Sequence, residues 1–238
     1  SIFGFQANGL FFNQAQLTDS PKQFGTVKLG DISYVDQNKD GIINAFDRVL
    51  IGSRIPRYTY SANFFFEYKG FDLTLFFQGV GKQQWYPSTE TEMFWGQYNR
   101  PYNNIPTFHL GNMWTPENTN AYFPRTMSRA ASNNTSRTLG VAQTRYLQNV
   151  AYLRMKNIQV GYNLPTKLIN KVGARSAKIF FSGENLFTYS PMYKIVKGTI
   201  DVENAVPSDQ DLNGNSTNGD GYNYPLMKSF SLGLNIGF

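Results

Sequence analysis

Strict alternation of apolar and polar side chains limits what this chain can fold into more than any other feature. From Arg57 to Tyr68, RYTYSANFFFEY puts Tyr58, Tyr60, Ala62, Phe64, Phe66 and Tyr68 on one face. Thr59, Ser61, Asn63, Phe65 and Glu67 fall on the other, as a two-sided strand requires. After the turn dipeptide Lys69-Gly70, FDLTLFFQ resumes with Phe71, Leu73, Leu75 and Phe77 against Asp72, Thr74, Phe76 and Gln78. In IQVGYNLP, Ile158, Val160, Tyr162 and Leu164 oppose Gln159, Gly161 and Asn163. The preceding YLRMKN is out of phase: Arg154 and Lys156 fall on the face of Ile158, which predicts a β-bulge or a strand that has risen past an interface. A fourth run, Ala177 to Tyr189, has an ambiguous phase around the adjacent Phe180 and Phe181. The last, SFSLGLNIGF, alternates Phe230, Leu232, Leu234, Ile236 and Phe238 with Ser231, Gly233, Asn235 and Gly237. A face that small and polar cannot line a packed core.

The connections alternate in length. Those after Tyr68 and Leu164 are short, whereas long stretches separate Gln78 from the third run and Tyr189 from the last. Long structureless loops do not suit a compact soluble domain. Short turns at one end and long loops at the other suit a transmembrane β-barrel, apolar outside and polar inside. The competing architecture is a soluble β-sandwich, a calcium-stiffened secreted or surface module for binding or adhesion, whose outward faces should carry more Lys and Glu than these strands do.

Composition narrows the choice. Charged residues make up 16% of the 238 residues, against roughly 25% in ordinary soluble domains. No run reaches the roughly 18 apolar residues that a membrane-spanning helix needs. With no Cys and only His109, thiol nucleophiles, Cys-based zinc sites and histidine-rich metal sites are excluded. The net charge of +6 comes from Lys and Arg scattered singly, without the clustering of a nucleic-acid-binding surface. Ser1 starts neither an initiator methionine nor a signal peptide, so the chain reads as a piece of something longer.

The sharpest local motif is DQNKDGIINAFD, Asp36 to Asp47. Its spacing is that of a calcium loop: Asp36, Asn38, Asp40, the Ile42 carbonyl, Asn44 and Asp47 occupy the ligand positions, with Gly41 at the sharp turn and Ile43 as apolar anchor. Asp47 stands where the commonest loop has Glu. An Asx-rich turn without metal is the alternative; a structural ion stiffening an external loop is the reading preferred here. A weaker echo runs through Asp209, Asp211, Asn213, Gly214 and Asp220. Glu90 and Glu92 are a conceivable carboxylate pair, and His109 sits in a Pro-flanked loop with no nearby acid, so no catalytic residue is expected and the chain reads as a non-enzyme. Trp85, Trp95 and Trp114 all lie in the long stretch between residues 85 and 125 and suit contact with a substrate or partner, or alternatively fold the loop onto itself.

Taken together, LGDISYVDQNKDGIINAFDRVLIGSRIPRYTYSANFFFEYKGFDLTLFFQGV, MWTPENTNAYFPR, YLRMKNIQVGYNLP, AKIFFSGENLFTYS and YPLMKSFSLGLNIGF resemble the closing part of a SusC/RagA-type TonB-dependent transporter, the outer-membrane nutrient importers of the Bacteroidetes. The resemblance implies an all-β, antiparallel transmembrane barrel of 22 strands, of which this chain supplies the C-terminal five. It divides the chain into an extracellular region (1–56) holding the Asp-rich loop (36–47), a barrel hairpin (57–80), a long extracellular loop (81–147), two strands joined by a short periplasmic turn (148–189), a second extracellular loop (190–225) and the final strand (226–238). It also implies a SusD-like surface lipoprotein as partner, TonB-ExbB-ExbD acting through an N-terminal plug absent here, a glycan or peptide substrate, and Phe238 as the terminal aromatic read by outer-membrane assembly machinery.

Overall fold

The computed structural model describes residues 1–196, 198–205 and 225–238. The echo motif at Asp209, Asp211, Asn213, Gly214 and Asp220 lies outside the described residues. The chain divides into two compact units: Ser1–Ile55, Gln83–Val150 and Met192–Pro225 form one, and Pro56–Lys82, Ala151–Pro191 and Leu226–Phe238 the other. Among the described residues no helix is long and apolar enough to cross a membrane.

The second unit is a five-stranded antiparallel sheet. Its strands are β1 (Tyr58–Tyr68), β2 (Phe71–Gly81), β3 (Tyr152–Asn163), β4 (Ser176–Tyr189) and β5 (Ser229–Gly237). Each pairs with its neighbours in chain order, so the sheet is an open meander edged by β1 and β5. The alternation read from the sequence becomes two continuous faces through the register. Phe64 opposes Leu75, Leu75 opposes Ile158, Val160 opposes Phe181, and Phe181 opposes Leu232, all on the apolar side. Large side chains on that side are bare, with Leu232 79% and Phe230 64% exposed. A single layer with an uncovered apolar face is not a β-sandwich.

The out-of-phase YLRMKN is resolved by a bulge, the first of its two readings. The pairing of β3 with both neighbours skips Lys156, placing a bulge between Met155 and Asn157. One extra residue moves Leu153 and Met155 onto the face of Ile158 and sends Arg154 to the polar face. On β4 the ambiguity resolves with Ile179 and Phe181 on the apolar side and Phe180 on the polar side, because Phe181 opposes Val160 and Phe180 opposes Gly161.

Two side chains span three strands apiece, each over a glycine. On the apolar face the Tyr60 ring lies on Gly79, where a Cβ would collide with it, and its hydroxyl donates to the Tyr152 carbonyl at 3.0 Å. On the polar face Lys178 of β4 crosses β3 above Gly161 to reach Asp72 of β2 at 2.8 Å. Neither crossing leaves room for a larger residue beneath it.

The first unit is built from short pairings that close the ends of long excursions. Ile2–Gly4 pairs with Val49–Gly52, Ala7–Leu10 with Ile32–Tyr34, and Gln84–Trp85 with Gln148–Asn149. The long stretch does not remain a bare loop: Trp85, Phe94, Trp95, Tyr98, Phe108, Phe123 and Tyr146 are all buried and form an aromatic core. Its rings meet mostly edge-on or tilted, such as Phe94 against Trp95 at 4.8 Å and Trp95 against Tyr146 at 5.1 Å. His109 is enclosed in that core, 4.1 Å from Phe123 between ring centroids, with Nε2 2.8 Å from the Phe94 carbonyl. Burial pushes its pKa down to about 4 against the weaker opposing pull of that hydrogen bond.

Two outcomes follow for the intact protein. Replacing Gly161 with Val separates Lys178 from Asp72 and destabilises the sheet by about 1–3 kcal/mol, as overpacking generally does, so its thermal midpoint falls; an unchanged midpoint would show that the crossing carries no weight. The unfolded chain protonates His109 near its ordinary value of 6.5, before the folded chain does. His109 therefore costs stability as pH falls from about 6.5 towards 4, by up to about 3 kcal/mol. Melting curves of wild type and His109→Gln should diverge across that window and run parallel above it.

Candidate functional site

The polar face of the sheet gathers hydrogen-bonding groups from all five strands. Thr74, Gln159, Ser182 and Ser231 follow one another across β2 to β5 in register. On one side of this uncharged row, Asn157 opposes Glu184, which accepts from the Ser229 hydroxyl at 2.9 Å. Beyond that, Arg154 is 2% exposed and donates from Nε to the Thr188 hydroxyl at 2.8 Å. On the other side stands the Lys178–Asp72 pair. Each strand presents these groups only because its alternate residues have been sent to the apolar side. Lys178 and Asp72 neutralise each other, whereas Glu67 on the same face is exposed. The rest of this face is hydroxyl and amide groups interrupted by the rings of Phe65, Phe76 and Phe180, a mixed surface suited to lining a water-filled path.

The Asp-rich loop folds around its own backbone. Asp36 accepts from the amides of Lys39 and Gly41, both at 2.7 Å, Asn38 Oδ1 from Asp40 at 3.0 Å, and Asp40 Oδ1 from Ile42 at 2.9 Å. These successive Asx turns bring the side chains at alternate positions to one side. Gly41 holds φ at 84°, the left-handed conformation that the sharp turn needs. Ile43 is buried as the anchor, while Ile42 stays exposed. The side-chain amides of Asn38 and Asn44 donate to Asp40 Oδ2 at 2.9 and 3.2 Å. The Asn38 amide, followed by the Ile42 N–H, holds the Asp40 carboxyl below the usual carboxylate range. Asp47 is fully buried and accepts from the amides of Gln37 and Asn44 at 2.8 and 2.7 Å, closing the loop through its backbone. Among the described residues no group of three or more His, Cys, Asp or Glu side chains gathers where it could hold a metal. The oxygens this loop presents are a mixture of carboxylate, side-chain amide and backbone carbonyl.

The tryptophan expectation needs correction. Trp85 and Trp95 are 0% exposed. They are core residues and cannot touch a substrate or partner in this conformation. The aromatic density of the stretch folds it onto itself. Trp114 is half-buried, its indole packed against Gly30. Glu90 and Glu92 are not a free carboxylate pair: Arg100 bridges them at 2.9 and 3.1 Å, and Arg129 reaches Glu90 at 2.5 Å. Nothing in the sequence marked Arg129 as a partner of Glu90. The buried Asp31, whose pKa is raised by burial against the pull of its hydrogen bonds, pairs with Arg125 at 2.8 Å and was likewise missed.

No family model matches the chain. TonB-dependent receptor P3 of Formosa agariphila is 28% identical over 239 residues, a match covering 100% of this chain and 22% of that receptor. TonB-dependent receptor P26 of the same organism is 28% identical over 214 residues, covering 88% of this chain and 20% of that receptor. The chain thus spans about a fifth of the length of these relatives. Among solved structures, the RagAB peptide transporter superposes over 100% of this chain and 22% of its own, with TM-score 0.63 and 20% identity. The RagAB peptide importer in its closed-closed state gives TM-score 0.62 at 19% identity. At those identities the likeness is one of fold. Sequence and fold agree with each other, and over its whole length the chain is similar to one segment of a SusC/RagA-like TonB-dependent transporter.

Proposed function

We propose that this chain forms five adjacent strands and the outer loops of a 22-stranded, TonB-dependent outer-membrane importer. It takes up oligosaccharides or peptides with a SusD-like lipoprotein at the surface and TonB-ExbB-ExbD driving a plug from within. The observation that carries this reading is the sheet itself: one layer, apolar across one face and mostly hydrogen-bonding across the other, with both edges open to further strands among the described residues. Such a sheet has no stable place in water alone. In a bilayer the apolar face meets lipid, the polar face lines the lumen, and neighbouring strands pair the edges. The family likeness supports the same assignment, and the two short turns then face the periplasm. The chain's task in this reading is passive: a largely hydrophilic wall past which a polar substrate moves.

The Asp-rich loop is proposed to hold a structural calcium ion. Side-chain oxygens of Asp36, Asn38, Asp40 and Asn44 and the Ile42 carbonyl would ligate it, and Asp47 would close the loop. When bound, the ion supplies charge neutralisation and rigidity to an external loop.

The intact protein should require detergent and migrate differently on gels before and after heating. A monodisperse product without detergent would overturn the barrel. Asp36→Ala combined with Asp40→Ala should abolish bound calcium in elemental analysis, and an unchanged metal content would refute the site.

A further inference from the structure

The turn end of the sheet carries a charge pattern that a lumen wall does not need. Lys69 occupies the β1–β2 turn, and Lys167, Lys171 and Arg175 lie between β3 and β4. All four are exposed. These two connections are neighbours, because β2 pairs with β3 and the Asn163 amide donates to the Gly70 carbonyl at 2.8 Å. Arg175 stands against the end of β5, its amide donating to the Gly237 carbonyl at 2.7 Å. Among the described residues of this end, Glu67 is the one exposed acidic side chain, since Asp72 is buried against Lys178.

Directly beside these cations the apolar face ends in aromatic rings. Tyr68 is 70% exposed, and Phe71 packs on Tyr162 with centroids 4.4 Å apart. The Lys69 ammonium sits 5.2 Å from the Tyr68 ring centroid. In the short helix Thr166–Ile169, Leu168 is 57% exposed beside Lys167. Aromatic rings at the margin of an apolar band mark the headgroup level of a bilayer, and cations just beyond that margin meet the phosphates of lipids.

We infer that the turn end of the sheet is a docking surface for anionic phospholipid headgroups, with Lys69, Lys167, Lys171 and Arg175 meeting the headgroups and Leu168 entering the acyl boundary. The inference rests on the membrane-barrel reading above and adds a partner to it. A zwitterionic headgroup offers these side chains a cation beside every phosphate, whereas an anionic one leaves the phosphate to them. The attraction is spread over two connections and joined to the apolar band, as a leaflet requires.

The test uses the intact protein in nanodiscs of phosphatidylcholine mixed with phosphatidylglycerol, followed by analysis of the lipids retained on mild detergent extraction. Wild type should retain phosphatidylglycerol several-fold above its bulk share, and the enrichment should fall as sodium chloride is raised. The quadruple variant K69Q, K167Q, K171Q, R175Q should retain the bulk ratio while keeping heat-dependent gel mobility. Equal enrichment in wild type and variant, or enrichment indifferent to salt, overturns the inference. So does loss of enrichment when inorganic phosphate replaces chloride at equal ionic strength, since that marks a small-anion site. Failure to enter nanodiscs of phosphatidylcholine alone is the separate outcome that overturns the barrel reading. For a variant that does not fold, the salt dependence of the wild type decides alone.

Discussion

The structure depends on the demand that one strand places on its two faces. A β-strand sends successive side chains to opposite sides, so a chain that alternates apolar and small polar residues presents two incompatible surfaces only one residue apart. In a soluble sheet the apolar surface would be covered by a second layer. Here β1 to β5 lie in a single layer, and Phe64, Phe66, Phe181, Phe230, Leu232 and Leu234 remain bare. Backbone pairing across the meander satisfies the interior strands, while β1 and β5, at the edges, find no further strand among the described residues. Every other property of the sheet follows from resolving those two demands together.

Keeping the faces in phase over three strands is the difficult part, because one slipped residue would exchange lipid-type for water-type side chains. The bulge at Lys156 absorbs the slip written into YLRMKN, so Arg154 joins Gln78 and Thr188 instead of standing among Leu153 and Met155. The two long crossings then tie strands that are not direct neighbours. Tyr60 links β1 to β3 and Lys178 links β4 to β2, and the glycines at positions 79 and 161 exist to let them pass. A pair such as Lys178 and Asp72 serves register as well as charge, since a shift of one residue would leave each without its partner.

The other unit solves a different problem. Its excursions are long, and a long excursion without a core would not hold any particular shape. Aromatic rings supply that core economically, since each buries a large area with few rotatable bonds. The same concentration explains why tryptophan, often a residue of contact surfaces, is interior here: Trp85 and Trp95 hold the excursion together instead of reaching outward. His109 survives in that setting because a neutral imidazole can hydrogen-bond the Phe94 carbonyl while its ring packs as an aromatic.

By itself the sequence determined what depends on local period and spacing. The five strands, their two faces, the bulge before Ile158, the alternation of short and long connections and the self-satisfying turns of Asp36, Asn38 and Asp40 all involve residues a few positions apart. The tertiary structure alone decided which rings are core, which arginines neutralise Glu90, and which strands Tyr60 and Lys178 bridge. Those partners are brought together by the fold from far along the chain: Arg129 to Glu90, Arg125 to Asp31, Lys178 to Asp72. Period and spacing record which way a side chain faces, whereas burial and pairing depend on what the rest of the chain brings opposite it.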